Sequence, residues 1–381
     1  MRATPFTLQV PDADIEDLKA RLARTRLPDQ PPGPAWQSGT DLDYLRDLVG
    51  YWRDGFDWRA QEAALNAFPQ FKIPLHDIDL HFIHAEGKGP NPMPLLLLHG
   101  WPGSVFEFLD ILPRLTDPAA FGGDPADAFT VVAPSLPGYG LSFAPGQRRF
   151  SVQEMADCFA DLMPALGYEH FGVQGGDWGG FTGSAMGLRH PERLIGLHQN
   201  LIAIRPDPTP VPDATPEEAR YAEEIGVWVN EESGYTWIQA TRPQTLAYGV
   251  TDSPAGLAGW IVEKFHAWTD NDGTPESAVD RDRMLANISL YWFTGAIGSS
   301  FWPYYARHRG EWPVPDGAKV TVPFGYAAFP CEIRRPPRSI AERAYTDIRR
   351  WTEMEKGGHF AAMEQPEALA GEIREFFRAL R

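Results

Sequence analysis

The seven residues Gln174-Gly-Gly-Asp-Trp-Gly-Gly180 carry the strongest architectural signal in this chain. They lie between a short apolar run at Phe171–Gln174, which predicts a buried strand, and a predicted helix at Gly180–Arg189. A strained turn that needs small residues between a strand and a helix is typical of a nucleophile elbow, usually written G-x-S-x-G. Asp177 occupies the position of the nucleophile. The alternative is that Asp177 merely caps the helix that follows it.

A carboxylate at this position predicts a particular chemistry. A carboxylate attacks sp³ carbon and forms an alkyl ester, whose carbonyl group can then be hydrolysed. Asp177 therefore favours ring opening or halide displacement over the cleavage of esters and peptides.

Strands and helices alternate along much of the chain. A Ser151-x-x-Glu154 capping box opens a helix that runs to Leu166, and the chain ends in an amphipathic helix at Glu367–Leu380. This alternation predicts an α/β fold with a mostly parallel sheet and helices on both faces. The other strands of this sheet are predicted at Leu95–Leu98, Phe129–Pro134, Leu194–Leu201, Lys319–Phe324 and Arg349–Met354.

Two segments interrupt this pattern. Residues 1–90 form a predicted N-terminal appendage with three helical stretches and a strand at Ile78–His84. The proline-rich segment Arg205–Pro212 is a stiff linker into a helical, aromatic insertion that continues to residue 312. The predicted domains are therefore 1–90, 91–204 and 313–381 as two parts of the core, and a helical cap at 205–312.

A base and an acid follow the elbow in the sequence. An ester intermediate needs a base to activate water, and His359 lies between the last predicted strand and the last helix. The order of elbow and histidine matches that of α/β-hydrolases. Glu332 is the preferred acid to orient this histidine, with Asp316 and Asp347 as alternatives.

The turn His99-Gly-Trp-Pro102 follows the strand Leu95–Leu98, where this fold builds half of its oxyanion hole. The backbone N–H groups of Trp101 and Trp178 are the predicted donors. The alternative is a packed Gly-Pro turn without a catalytic part.

Composition excludes several classes of protein. The chain has 381 residues, with 34 Lys and Arg against 51 Asp and Glu, and a formal net charge of -17. An acidic surface repels nucleic acid and anionic lipid. Cys158 and Cys331 have no metal-type spacing, and we expect two reduced thiols, no structural zinc and a cytoplasmic protein. The N-terminus lacks the apolar segment of a secretory signal.

At these motifs the chain resembles the microsomal-type epoxide hydrolases, which have an N-terminal appendage on an α/β-hydrolase core. The resemblance covers essentially the whole length. The matching motifs are Thr25–Pro28, Tyr51-Trp52, Asp57–Arg59 with Glu62, Asn66–Phe71, His81–His84, His99–Ser104, Gly175–Gly179, Phe329–Glu332 and Gly357–Ala362.

The resemblance implies that two tyrosines of the cap donate protons to the epoxide oxygen. Tyr235 looks like the first and Tyr304 like the second, although Tyr305 adjoins the latter and leaves the register open. It also implies catalysis by Asp177, His359 and Glu332, a role in detoxification, and no metal or organic cofactor.

The expected partners are a small epoxide and water, with no nucleic acid and no membrane, and a homodimer is left open. Because eight of the 13 tryptophans follow residue 205, we expect an apolar cavity suited to aryl or alkyl epoxides. A haloalkane or haloacid dehalogenase on the same core is the alternative enzyme, and a non-catalytic ligand-binding protein is the third hypothesis.

Overall fold

The computed structural model describes residues 2–209 and 213–381. Within them, the strands form one sheet in the order β1-β2-β3-β5-β4-β6-β7-β8-β9. The strands are β1 (Thr4–Phe6), β2 (Gln70–Leu75), β3 (Ile78–Ala85), β4 (Met93–Leu98), β5 (Phe129–Pro134), β6 (Phe171–Gly175), β7 (Leu194–Gln199), β8 (Phe324–Ala328) and β9 (Ile348–Glu353). Strands β4 to β9 pair in parallel, and β1 to β3 join the edge at β5 through antiparallel pairs.

The helices fall into three groups along the chain. Those before the insertion are α1 (Asp12–Leu22), α2 (Leu42–Asp54), α3 (Trp58–Asn66), α4 (Leu112–Thr116), α5 (Val152–Ala165) and α6 (Asp177–Arg189). Those of the insertion are α7 (Pro216–Glu231), α8 (Gly234–Thr241), α9 (Pro243–Asp252), α10 (Pro254–Trp268), α11 (Arg281–Thr294), α12 (Ile297–Ser300) and α13 (Trp302–Arg309). Those after it are α14 (Arg338–Ala341), α15 (Ala361–Glu364) and α16 (Pro366–Arg378).

The local signals in the sequence explain several helix starts. Ser151 accepts a hydrogen bond from the Glu154 amide, and the Glu154 carboxylate accepts one from the Ser151 amide, so the capping box of α5 is formed. Asp41 caps α2 by accepting hydrogen bonds from two backbone amides, those of Asp43 and Tyr44. Helix α1 begins at Asp12 and has Asp12 and Asp14 in its first turn, where acidic side chains are favourable.

The strand predicted at Lys319–Phe324 is wrong, because the observed strand lies about one strand length later in the sequence. Only Val320 forms an isolated bridge there, and β8 begins where that segment ends. The alternating valines at Val320 and Val322 favoured the earlier segment. Strand β8 is buried throughout and rich in small residues, because Gly325 packs against Phe376 and His198 from neighbouring elements. Such a strand has no alternation to detect.

The first 90 residues join the sheet of the core and contact the helical insertion. They supply β1 and β2, which the sequence did not predict, and the indole of Trp52 donates a hydrogen bond to Ser289 of α11 at 3.0 Å. Trp36 stacks on His266 of α10 with ring centroids 4.0 Å apart. The domain boundaries stay a prediction, and Pro210–Pro212 of the predicted linker lie outside the described residues.

No helix in the two described segments is long and apolar enough to span a bilayer. The cytoplasmic location and the homodimer stay predictions.

Candidate active site

The elbow places Asp177 at the carboxyl end of β6 and the first position of α6. Asp177 has a φ of 46°, a left-handed conformation that is uncommon and strained for a residue with a side chain. The turn requires glycine at position 179, where a Cβ atom would lie 2.2 Å from the carbonyl oxygen of Leu98. The sequence pattern and the backbone therefore agree that this turn is built to expose one side chain.

The two oxygens of the Asp177 carboxylate have different surroundings. Oδ1 accepts a hydrogen bond from the Trp101 amide at 2.8 Å, and Oδ2 lies 3.8 Å from Nε2 of His359. Gly100 permits this approach, because a Cβ atom there would lie 2.3 Å from Oδ1. Among the described residues, the Trp178 amide makes no hydrogen bond to this carboxylate. Oδ1 is thus the oxygen held by the Trp101 amide, and Oδ2 is the oxygen on the side of His359.

His359 and Glu332 form a buried pair beside the elbow. Nδ1 of His359 lies 2.7 Å from Oε1 of Glu332, which also accepts the Ile333 amide at 2.7 Å. Burial alone would lower the pKa of His359, but the charge and hydrogen bond of Glu332, with the charges of Asp177 and Glu107, raise it to about 9.

The two alternative acids lie elsewhere. Asp347 pairs with Arg349, and Asp316 lines a separate cavity beside Arg343. Neither carboxylate contacts His359 within the described residues.

Tyr235 on α8 and Tyr304 on α13 face each other across the site, with ring centroids 5.8 Å apart. Tyr235 stacks on Trp101 at 5.4 Å, and Tyr304 meets Trp178 edge-on at 4.6 Å. Burial raises the pKa of both phenols above its ordinary value, so both stay protonated at neutral pH. Tyr305 instead stacks on Trp302 and lines a different depression at the surface.

A cavity of about 390 Å³ opens above Asp177 and is lined by both tyrosines. This volume lies within the ~300–1,000 Å³ that is usual for sites that bind small molecules. The aromatic side chains that line the cavity besides the tyrosines are Trp178, Phe181, Trp228, Trp237 and Trp312. The arrangement can bring a carboxylate and two phenols to one small apolar molecule, with His359 3.8 Å from the carboxylate.

Comparison with known proteins gives the same class of enzyme. Residues 3–108 match the family described as "Epoxide hydrolase N terminus", and residues 93–261 match "alpha/beta hydrolase fold". A Stigmatella aurantiaca protein that carries an epoxide hydrolase name is 46% identical over 99% of this chain and 85% of its own length. Epoxide hydrolase 1 of Oryctolagus cuniculus is 37% identical over 98% and 88%.

The crystal structure of juvenile hormone epoxide hydrolase from the silkworm Bombyx mori superposes with a TM-score of 0.88 and 33% identity, over 100% of this chain and 95% of that one. The chain belongs to the epoxide hydrolase family. The resemblance, the α/β-hydrolase fold and the class of enzyme predicted from the sequence are thereby confirmed.

A third carboxyl group of this enzyme lies near the histidine and was not predicted. Glu107 lines the small pocket behind Asp177 that His359 also lines. Burial raises the pKa of Glu107 to about 8, with His359 opposing the rise and Asp177 adding to it. The Ser104-x-x-Glu107 pattern was visible in the sequence, but it is equally a helix cap, and Ser104 does cap the turn Val105–Phe108.

Two arginines of the enzyme were also missed. Arg307 on α13 and Arg334, two residues beyond Glu332, both line the cavity above Asp177. Most arginines lie on the surface, so no pattern in the sequence singles these two out.

Proposed function

We propose that this enzyme converts an epoxide to a vicinal diol through an ester on Asp177, with an aryl or alkyl epoxide as substrate. The observation that supports this most strongly is the arrangement of groups around Asp177. Oδ1 of Asp177 accepts the Trp101 amide, Oδ2 lies beside His359, and the phenols of Tyr235 and Tyr304 line the cavity that Asp177 also lines.

In the first step, Oδ2 of Asp177 attacks a ring carbon of the epoxide. The bond between that carbon and the ring oxygen breaks, and the oxygen takes a proton from Tyr235 or Tyr304. General acids of this kind contribute roughly 10²–10⁴-fold to a rate. Their raised pKa keeps both protons in place until the ring oxygen becomes strongly basic.

In the second step, His359 removes a proton from water, and the hydroxide attacks the ester carbonyl carbon of Asp177. Oδ1 becomes the oxyanion, and the Trp101 amide that already donates to it stabilises the charge. We assign the second donor to the Trp178 amide at the start of α6. The bond between the carbonyl carbon and Oδ2 then breaks, and the departing oxygen takes the proton that His359 holds, so that the diol is released. The proton of the new carboxylic acid returns to the tyrosinate, and Asp177 is a carboxylate again.

The charge of Asp177 links the two steps. That charge is one of the causes that raise the pKa of His359. The ester carries no charge, so its formation lowers the pKa of His359 and favours the neutral imidazole that hydrolysis requires. Formation of the ester therefore also makes available the neutral His359 that the hydrolysis of this ester requires.

Diol formation from styrene oxide tests the reaction, and isotope labelling tests the intermediate. In a single turnover in H₂¹⁸O, the proposal predicts an unlabelled diol and ¹⁸O in the Asp177 carboxylate, because water attacks the ester carbonyl and not the epoxide. Asp177→Asn should form no diol, and Asp347→Asn, a change to a partly exposed carboxylate that pairs with Arg349 and does not contact His359, serves as the control. Label in the diol of the first turnover would exclude the ester.

A further inference from the structure

The cavity above Asp177 contains positive charge that the proposed reaction does not use. Arg334 is only 7% exposed, and Arg307 is partly buried. Both side chains line the cavity, and Asp177 is the one carboxylate that lines it within the described residues.

In the described part of the chain, neither guanidinium forms an ion pair. Among residues 2–209 and 213–381, no carboxylate oxygen lies within 4.0 Å of Arg307 or Arg334. Arg334 reaches the carbonyl oxygen of Ile204 through Nη1 at 3.4 Å, and its buried Nε has no partner. A buried arginine normally satisfies several of its five N–H donors. In this cavity, N–H donors of the two arginines therefore remain available to a ligand.

Aromatic rings hold both groups in place by their faces. The guanidinium carbon of Arg307 lies 5.1 Å from the ring centroids of both Trp178 and Trp312, and that of Arg334 lies 5.3 Å from Phe181. A cation–π contact of this kind attracts the guanidinium without satisfying its N–H donors through a polar acceptor. The side chains are thus fixed before any ligand arrives.

Keeping these charges together is costly. Burial, together with the neighbouring charge of Arg334, lowers the pKa of Arg307 to about 10. The chain has 51 acidic residues against 34 basic ones, yet Asp177 is the one acidic residue among those described that lines this cavity. Like charges that lack an ion-pair partner and are costly to bury cluster at sites that bind a ligand or perform chemistry.

We propose that Arg307 and Arg334 bind the carboxylate of an epoxide that carries one, so that the natural substrate is an epoxy acid with an apolar body. This inference rests on the proposed function. A carboxylate matches the planar fork of arginine with two parallel hydrogen bonds. Tyr304 and Arg307 lie one turn apart on α13. Residues at this spacing have Cβ atoms about 5–6 Å apart, a distance that an aryl ring or a short alkyl chain spans.

A matched pair of substrates tests the proposal in the unaltered enzyme. We would compare kcat/KM for 4-(oxiran-2-yl)benzoate with that for 4-(oxiran-2-yl)benzamide, which has the same shape without the charge. Hydrogen bonds between charged partners predict a preference of roughly tenfold or more for the acid. Equal rates, or a preference for the amide, would overturn the carboxylate site and leave the epoxide hydrolase intact.

Variants locate the preference. Arg307→Met and Arg334→Met keep an apolar stem of similar length, and each should reduce the ratio of acid to amide at least severalfold. Arg220→Met is the control, because Arg220 is exposed on α7 of the same insertion and lies outside the cavity. If kcat/KM fell equally for both substrates, the arginines would act by positioning the tyrosines or by packing rather than by binding a carboxylate. The proposal would then be wrong.

Binding separates this proposal from the reaction itself. The product 4-(1,2-dihydroxyethyl)benzoate and its amide would be titrated against the unaltered enzyme by tryptophan fluorescence, since Trp178, Trp228 and Trp312 line the cavity. Tighter binding of the acid by about tenfold supports the site even if no epoxide of the pair is turned over. Equal or weaker binding of the acid contradicts it whatever the activity.

Discussion

At the scale of single residues, the proposed mechanism assigns each side chain to a particular step, so that separate variants test separate steps. His359 serves only the second step, so His359→Gln should still form the ester but release diol roughly 10²–10⁴-fold more slowly. Intact-mass spectrometry after mixing with styrene oxide should show one adduct per chain. The double variant Asp177→Asn/His359→Gln is the control and should show none. An unmodified His359→Gln chain would place His359 in the first step.

The two cavity tyrosines give a second prediction. Tyr235→Phe and Tyr304→Phe should each reduce kcat/KM for styrene oxide by at least about tenfold, because each removes a proton donor from the ring oxygen. Tyr305→Phe tests the register, since Tyr305 lies outside the cavity and its removal should change the rate less than about twofold. A larger loss in Tyr305→Phe than in Tyr304→Phe would reverse the assignment.

The pKa of His359 has a consequence for stability. Its folded value of about 9 lies above the ~6.5 expected in the unfolded chain, so its stabilising contribution is complete below pH 6.5. That contribution is lost as the pH rises through 9. Urea denaturation should therefore show that the free energy of unfolding of the unaltered enzyme, relative to His359→Gln, falls between pH 6.5 and 9. If this difference in the free energy of unfolding stays constant or grows over this range, the raised pKa of His359 is contradicted. The same comparison in a Glu107→Gln background is the control, because it removes Glu107, the second group that titrates near this pH.

At the scale of elements, the capping box of α5 makes a local prediction. Ser151→Ala removes the hydrogen bond to the Glu154 amide and should cost about 1 kcal/mol of stability. Glu154→Gln keeps a hydrogen-bonding side chain at the reciprocal position and should cost less. Thermal melting of the two variants checks the order, and equal losses would mean that Arg148, which pairs with Glu154, matters more than the box.

The same scale shows why the sequence predicted some elements and not others. Asp177 could be found because strand, glycine turn and helix are neighbours in the chain. Strand β8 was misplaced because its burial is set by Phe376 and His198, which come from distant segments. Tyr235 and Tyr304 needed a resemblance to known enzymes to be selected from 12 tyrosines. Arg307 and Arg334 had no signal at all, since being unpaired is a property of the folded cavity.

At the scale of the whole molecule, the N-terminal residues and the insertion support each other. Trp52 is buried and bonded to Ser289 of α11, and Tyr44 donates a hydrogen bond to Glu276 at 2.9 Å. Trp52→Phe should destabilise the enzyme by about 1–3 kcal/mol, because it leaves the Ser289 hydroxyl without its donor and opens a small gap. Denaturant unfolding checks this, with the exposed Trp237→Phe as the control. An unchanged midpoint would mean that the two segments are only loosely joined.

The order of the site residues along the chain also bears on protein synthesis. Asp177 is made about 180 residues before His359, which at ~5–20 residues per second corresponds to roughly ten to forty seconds on the ribosome. During that interval the nascent polypeptide contains the proposed nucleophile, but neither the proposed base nor the helices α8 and α13 and the strands β7 to β9 that surround Asp177 in the structure. Nearly the whole chain must therefore be synthesised before the carboxylate, the histidine and the two tyrosines can come together.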